Sequence, residues 1–373
     1  MTNSRQLRVA VIGGGAIGVS IAVHLLRQGA SVALYTQSEL ASGASGRSLS
    51  WLNSAGERSA QYHALRMAGI DRYRTLYAQD PSRDWLEFGG GLFWAMGDDS
   101  STRARHAYEK SHGYDSYLTG GEKATLYTPG VNAKAVGSTA IFNPGEGWVS
   151  LPHLIDHLME EFHALNGELH THCGVTSVTR DGSGNANGVD CEHSGQHAAD
   201  RVVVACGAHT PDVVGPLGVS IPNGSPVSML VTTQPIKQDI ESVLNTPRAA
   251  IRPNPGRTLA VDHDWYEEFI EGDENSGYHI DDSVVRELLT EASRLIQDSP
   301  KLEQATHKIG LKPIPGDGEP VLGELKSVPS CYVAFTHSGA TLALLVGEML
   351  ADEILSGNTN PMLETFRPER FKQ

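Results

Sequence analysis

Residues 8–36 read RVAVIGGGAIGVSIAVHLLRQGASVALYT. Residues 8–12 form a short, apolar, β-branched run, the composition of a parallel strand buried on both faces. Gly13, Gly15 and Gly18 then supply G-x-G-x-x-G. From Ala16 to Gln28 apolar residues recur at helical spacing (Ile17, Ile21, Leu25), and Gly29 ends the helix. Residues 32–35 resume as a second strand. Gly13 permits the tight turn, Gly15 lets the backbone approach a pyrophosphate, and Gly18 lets helix and strand pack closely. The helix N-terminus, opened by Ala16 and Ile17, then aims free N–H groups and a partial positive charge at the phosphates.

Among 40 glycines a lone G-x-G-x-x-G carries little weight. Here it lies between a strand and a helix in a β-α-β unit of about thirty residues, the context that marks a dinucleotide site. A secretory signal is the rival reading, since Arg5 and Arg8 precede an apolar stretch. The glycines interrupt that stretch, no small-residue cleavage site follows, and the unit runs on into a strand. The second strand should end in an acidic residue that accepts the ribose hydroxyls, but position 36 is Thr36. Its hydroxyl accepts a hydrogen bond without charge.

At 373 residues the chain can hold two domains with sizeable cores. The net charge of −15 and the lack of a basic block argue against nucleic acid and anionic membrane as partners. Four scattered cysteines without C-x-x-C spacing suit a reducing cytoplasm and ordinary thiols rather than disulfides or metal ligands. The apolar run at 340–347 is too short to span a bilayer.

Residues 42–48 (SGASGRS) form a loop straight after the second strand, with small residues, hydroxyls and the fork of Arg47 facing the cofactor. Residues 61–79 read as a helix, 92–96 as a strand, and a helical stretch falls near 101–112. A helix opens at 146–152 (EGWVSLP) and runs to Ala164. Strands follow at 168–172, 175–178 and 201–205, the last stopping at Cys206-Gly207, where backbone meets a ligand. Strand-like segments at 228–233, 249–252, 258–261 and 265–269 suggest the antiparallel sheet of a second domain. An amphipathic helix covers 281–297, a strand 332–335 and a helix 339–355.

Taken together and in order, several segments resemble the D-amino-acid oxidase superfamily of FAD-dependent oxidoreductases, which includes glycine oxidase, sarcosine oxidase and D-amino-acid dehydrogenase. They are GGGAIG at 13–18, GASGR at 43–47, GWVSLP at 147–152 and VACGA at 204–208. KP at 312–313 leading to DGEPVLG at 317–323, and THSGATL at 336–342, complete the set. The resemblance implies an α/β fold, α+β overall. A Rossmann-like FAD domain is assembled from 1–88, 146–222 and 310–373. A substrate domain with a mainly antiparallel sheet comes from 89–145 and 223–309. It implies FAD, held non-covalently because no Cys or His stands where some relatives tether it. Beyond the glycine turn and Thr36, the expected cofactor contacts are Ser45, Arg47, Ser48, Val175 and Gly207. Gly339, Ala340, Thr341 and Leu342 cap the flavin's pyrimidine end, where a helix N-terminus meets charge developing at N1/O2.

The reaction implied by the resemblance moves a hydride from a carbon bearing nitrogen to flavin N5, giving an imine that water hydrolyses. The substrate is an amino acid or secondary amine, and the electron acceptor is oxygen, a quinone or another carrier. A substrate carboxylate needs a cation, preferably bidentate. Many relatives have an arginine where this chain has Lys312, which keeps the charge but loses the planar fork. Arg252, at the end of a predicted strand, is the other cationic candidate, and His337, after the last strand, is placed by resemblance beside the flavin. His263, Asp264 and Tyr266 are candidate pocket-lining residues. A flavin hydroxylase, a flavin-carrying subunit of a multi-component dehydrogenase and an NAD-dependent dehydrogenase are the competing readings.

Overall fold

The computed structural model describes residues 6–97 and 99–371. The chain divides into two compact units, Met1–Gly46, Leu151–Pro226 and Leu311–Gln373 in the first, Arg47–Ser150 and Val227–Gly310 in the second.

In the first unit, β1 (Arg8–Ile12), α1 (Ala16–Arg27) and β2 (Ser31–Tyr35) form the expected β-α-β unit. A six-stranded sheet has the order Val321–Glu324, Cys331–Phe335, Arg201–Val204, β1, β2, Glu168–His170. All neighbours are parallel except the Val321–Glu324 edge. Val9, Ala10, Val11 and Ile12 of β1 are buried, as parallel strands covered on both faces require. α1 is apolar almost all round because it packs against both the Leu151–Ala164 and the Gly339–Ser356 helices. The crossing with the latter is close: a Cβ on Gly347 would lie 2.1 Å from Ser20 Oγ. Gly29 (φ 88°) and Gly357 (φ 73°) stop the two helices in left-handed backbone. A three-stranded antiparallel sheet, Val175–Arg180, Ala186–Cys191 and Gly195–Ala198, completes the unit.

The second unit is built on an eight-stranded sheet. Its central hairpin pairs Ala250–Asn254 with Thr258–Asp262 around the predicted turn, where Gly256 sits at φ 73°. The Asp282–Arg294 helix buries Val285, Leu288, Leu289 and Ala292 in a core shared with Leu92, Val231, Ile251 and Val261. One pair departs from the antiparallel expectation: Val243–Asn245 runs parallel to Gly91–Phe93.

Three readings of the sequence are corrected. Residues 265–269 form a 3-10 turn at Glu267–Phe269, not a strand, because the buried Tyr266 hydroxyl binds the backbone of Met229 and the carboxylate of Asp262. Residues 147–149 are a strand, and the helix starts at Leu151. That strand is the middle of a three-stranded sheet, pairing with Trp51–Leu52 and Leu86–Glu87. The same sheet moves residues 47–88 and 146–150 into the second unit, whereas the sequence reading grouped them with the nucleotide-binding segments.

Candidate functional site

The first unit gathers the glycine turn and the two helix N-termini. Gly13 has φ 124°, and a Cβ there would lie 2.2 Å from Ala205 O. A Cβ on Gly18 would lie 2.0 Å from Gly13 O, so only hydrogen fits between helix and turn. Gly15 is the N-cap of α1 and offers no side-chain cap; Ala16 N donates to Ser45 Oγ at 3.0 Å. Val19 N is the first to reach back into the helix, donating to Gly15 O. The N–H groups of Ile17 and Gly18 therefore have no acceptor within α1.

The Gly339–Ser356 helix starts on Ser338, which caps it with no side-chain hydrogen bond. A Cβ on Gly339 would lie 3.6 Å from Ile17 Cδ1, so the two helix N-termini converge. Ala340 is half-buried, and Thr341 and Leu342 are buried. Gly207, at φ 58°, follows the Arg201–Val204 strand and faces Pro313. Val175 is half-buried at the first strand of the small sheet, paired with Cys191. Thr36 is buried at the end of β2, its hydroxyl turned to Gly14. The positive ends of two helices, a turn lined by hydrogen rather than side chains, and a strand-end hydroxyl fit the pyrophosphate and ribose of a dinucleotide. His337 is exposed just before the second helix, and half-buried Lys312 donates its backbone N–H to Pro226 O.

Arg47, Ser48 and Arg252 lie in the second unit. Arg47 packs flat against Gly310, and burial lowers its pKa against the opposing pull of Glu274. Ser48 holds its own loop, accepting from Ser50 N at 3.0 Å. Arg252 is buried in this unit, as is Arg66: Arg252 Nε donates to Leu49 O at 2.5 Å, and Nη1 donates to Pro253 O and Asn254 Oδ1. Nη2 donates to nothing among the described residues. The guanidinium sits 5.3 Å above the Trp148 ring, and the buried Trp148 Nε1 also lacks an acceptor there. With neutral acceptors alone, burial drives the Arg252 pKa down to about 9. An arriving anion would supply the missing countercharge.

Sequence reasoning did not single out Trp148 for its indole N–H, or Glu146 at all. Glu146 is fully buried, accepting from Trp51 Nε1 at 2.8 Å and from the Tyr114 hydroxyl at 2.7 Å. Desolvation pushes its carboxyl up to about 8, against these hydrogen bonds and the charge of Arg105. Neither position carries a periodic signal, since their roles arise from strands far apart in sequence. Tyr266 belongs to the core, and His263 Nδ1 lies 2.7 Å from Asp264 Oδ1. Among the described residues no cluster of His, Cys, Asp and Glu fits a metal ion, and no helix is long and apolar enough to cross a membrane.

The profile of the family described as FAD dependent oxidoreductase matches residues 8–353, and the chain belongs to that family. It is 26% identical over 362 residues to a glycine oxidase of Geobacillus kaustophilus, covering 92% of each chain. The solved structure of glycine oxidase from Geobacillus kaustophilus matches with TM-score 0.82 at 22% identity, covering 99% of this chain and 100% of that one. An L-amino acid deaminase from Proteus myxofaciens, solved with anthranilate, matches with TM-score 0.85 at 18% identity over 99% and 94%.

Proposed function

We propose that this FAD-dependent oxidoreductase oxidises the C–N bond of an amino acid or a carboxylated secondary amine. The relatives named glycine oxidase and L-amino acid deaminase support an amino acid as substrate. The observation that carries the reading is Arg252, a buried cation with Nη2 uncommitted beside the unsatisfied indole N–H of Trp148. Together they present donors to a carboxylate.

The residues that would hold FAD are Gly13, Gly15, Ala16, Ile17, Gly18, Thr36, Ser45, Val175, Gly207, Gly339, Ala340, Thr341 and Leu342, with Arg47 and Ser48 as further candidates. Bound there, non-covalently, the flavin supplies the hydride acceptor. The chain's own work is positional. The α1 N-terminus neutralises phosphate charge, and the N-terminus of the Gly339–Ser356 helix offers positive potential to a developing anion. Arg252 Nη2 and Trp148 Nε1 fix the substrate's carboxylate; Lys312 is the alternative candidate cation. His337, exposed just before the Gly339–Ser356 helix, is the further candidate for a contact with the substrate amine. Oxygen or a quinone-type carrier takes the electrons onward, and the four free thiols support a cytoplasmic setting.

Competition by an unreactive aliphatic carboxylate tests the anchor. Inhibition competitive with the amino acid, lost in Arg252→Met, is expected. Equal inhibition of wild type and variant would remove Arg252 from substrate binding.

A further inference from the structure

Beyond the reaction itself, we propose that Cys173 and Cys191 form a peroxide-oxidisable dithiol that closes reversibly to a disulfide behind the ribose-facing end of β2. The four cysteines are not equivalent. Cys206 and Cys331 are thiols whose pKa burial pushes up to about 12, and Cys206 is spent on a hydrogen bond to Ile12 O. Cys173 and Cys191 instead lie on adjacent chain segments. Val175 pairs with Cys191 and Glu192 N donates to Gly174 O at 2.9 Å, which sets Cys173 two residues along from the partner of Cys191, diagonally across the hairpin on the same side.

Their surroundings differ in the way an attacking and a resolving thiol must. Cys191 is 2% exposed. Burial and the neighbouring thiol push its pKa up to about 12, so it keeps its proton until it reacts. Cys173 is only partly buried and opens onto a depression lined by His170, His172, His193 and Ser194. Its Sγ lies 3.7 Å from Ser194 Oγ, which lies 2.8 Å from His197 Nε2. Packing against Tyr35 and His170 holds the His197 ring. This Cys–Ser–His chain gives the Cys173 proton a path to an imidazole.

The steps balance as follows. Cys173 Sγ, its proton passed through Ser194 to His197, attacks one peroxide oxygen. The S–O bond forms as the O–O bond breaks, and the departing hydroxide takes the proton back to leave as water. Cys191 Sγ then attacks the sulfenic sulfur. The S–S bond forms, the S–O bond breaks, and the second water leaves with the Cys191 proton. Two thiols lose two electrons to one hydrogen peroxide, and a dithiol reductant reverses the change. Cys173 N donates to Thr36 O at 2.9 Å, so the new bond ties down the segment backing Thr36.

The test uses the full flavin-loaded chain treated with hydrogen peroxide, denatured, and labelled with a maleimide of large mass. Wild type should pass from four labelled thiols to two, stay monomeric on a non-reducing gel, yield a linked peptide joining Cys173 to Cys191, and recover with dithiothreitol. Cys191→Ser should leave a sulfenic acid on Cys173 that dimedone traps. Ser194→Ala should slow oxidation about tenfold, less than loss of a directly bonded base, while leaving thiol number and fold unchanged. Retention of all four thiols, or Cys173 recovered as sulfinic acid with no linked peptide, would overturn the proposal. An unchanged rate in Ser194→Ala would overturn the relay.

Discussion

Replacing Gly18 with alanine tests the glycine turn at its tightest point. The added Cβ would stand 2.0 Å from Gly13 O and 3.6 Å from the Ala205 methyl. A relaxed carbon–oxygen contact needs roughly 3.2 Å, so the start of α1 must retreat by about 1 Å. Such a shift costs about 1–3 kcal/mol of packing. It also stretches hydrogen bonds from the first-turn N–H groups from about 2.9 to about 3.9 Å, beyond useful length. Two charge-assisted bonds at ~1.5–3 kcal/mol each amount to about 3–6 kcal/mol, a loss of FAD affinity on the order of 100- to 10,000-fold. Titrating the apoprotein with FAD by flavin fluorescence measures this directly. Gly182→Ala is the control, since nothing lies within 4 Å of its added Cβ. A Gly18→Ala protein that folds and binds FAD within threefold of the control would refute the reasoning.

Three further outcomes are expected. Arg252→Met should raise the substrate KM by on the order of 100-fold in steady-state assay, about 3 kcal/mol for a lost charge-assisted contact from Nη2, with the flavin spectrum unchanged. Lys312→Ala should raise KM less than Arg252→Met does, because Lys312 is half-buried and lacks the planar fork; the reverse order in the same assay would make Lys312 the anchor. Glu146 holds its proton more tightly in the fold (about 8) than unfolded (4.5). Its contribution is therefore favourable below about pH 4.5 and is lost as pH rises through about 8, a swing on the order of 5 kcal/mol. Glu146→Gln should accordingly gain several degrees of Tm relative to wild type between about pH 5 and pH 9, and a constant Tm difference by calorimetry would contradict this.

The fold of the first unit was legible because its devices are local. β1, the glycine turn, α1 and β2 are adjacent in sequence, and the period changes from strand to helix and back where the glycines stand. The Gly339–Ser356 helix was legible for the same reason. The second unit was less so. Trp51, Leu86 and Trp148 meet in one small sheet although about 100 residues separate the first from the last, and no local pattern announces that pairing. The stretch at 265–269 has strand composition, but Tyr266 is claimed by hydrogen bonds to Met229 and Asp262. Arg252 was visible as a cation. That its Nη2 stays uncommitted above Trp148 depends on strands assembled from both segments of the unit. The Cys173–Cys191 proximity was hidden likewise, since it rests on the register of a hairpin.

The most direct test of the account is anaerobic mixing of the flavin-loaded protein with glycine, D- and L-amino acids, N-methyl amino acids and cyclic imino acids, followed at the flavin's visible absorption band. The account predicts that at least one bleaches the flavin stoichiometrically and releases the matching oxo acid, and that the decarboxylated analogue of that substrate does not. A flavin that dithionite bleaches but no member of the panel does would contradict it.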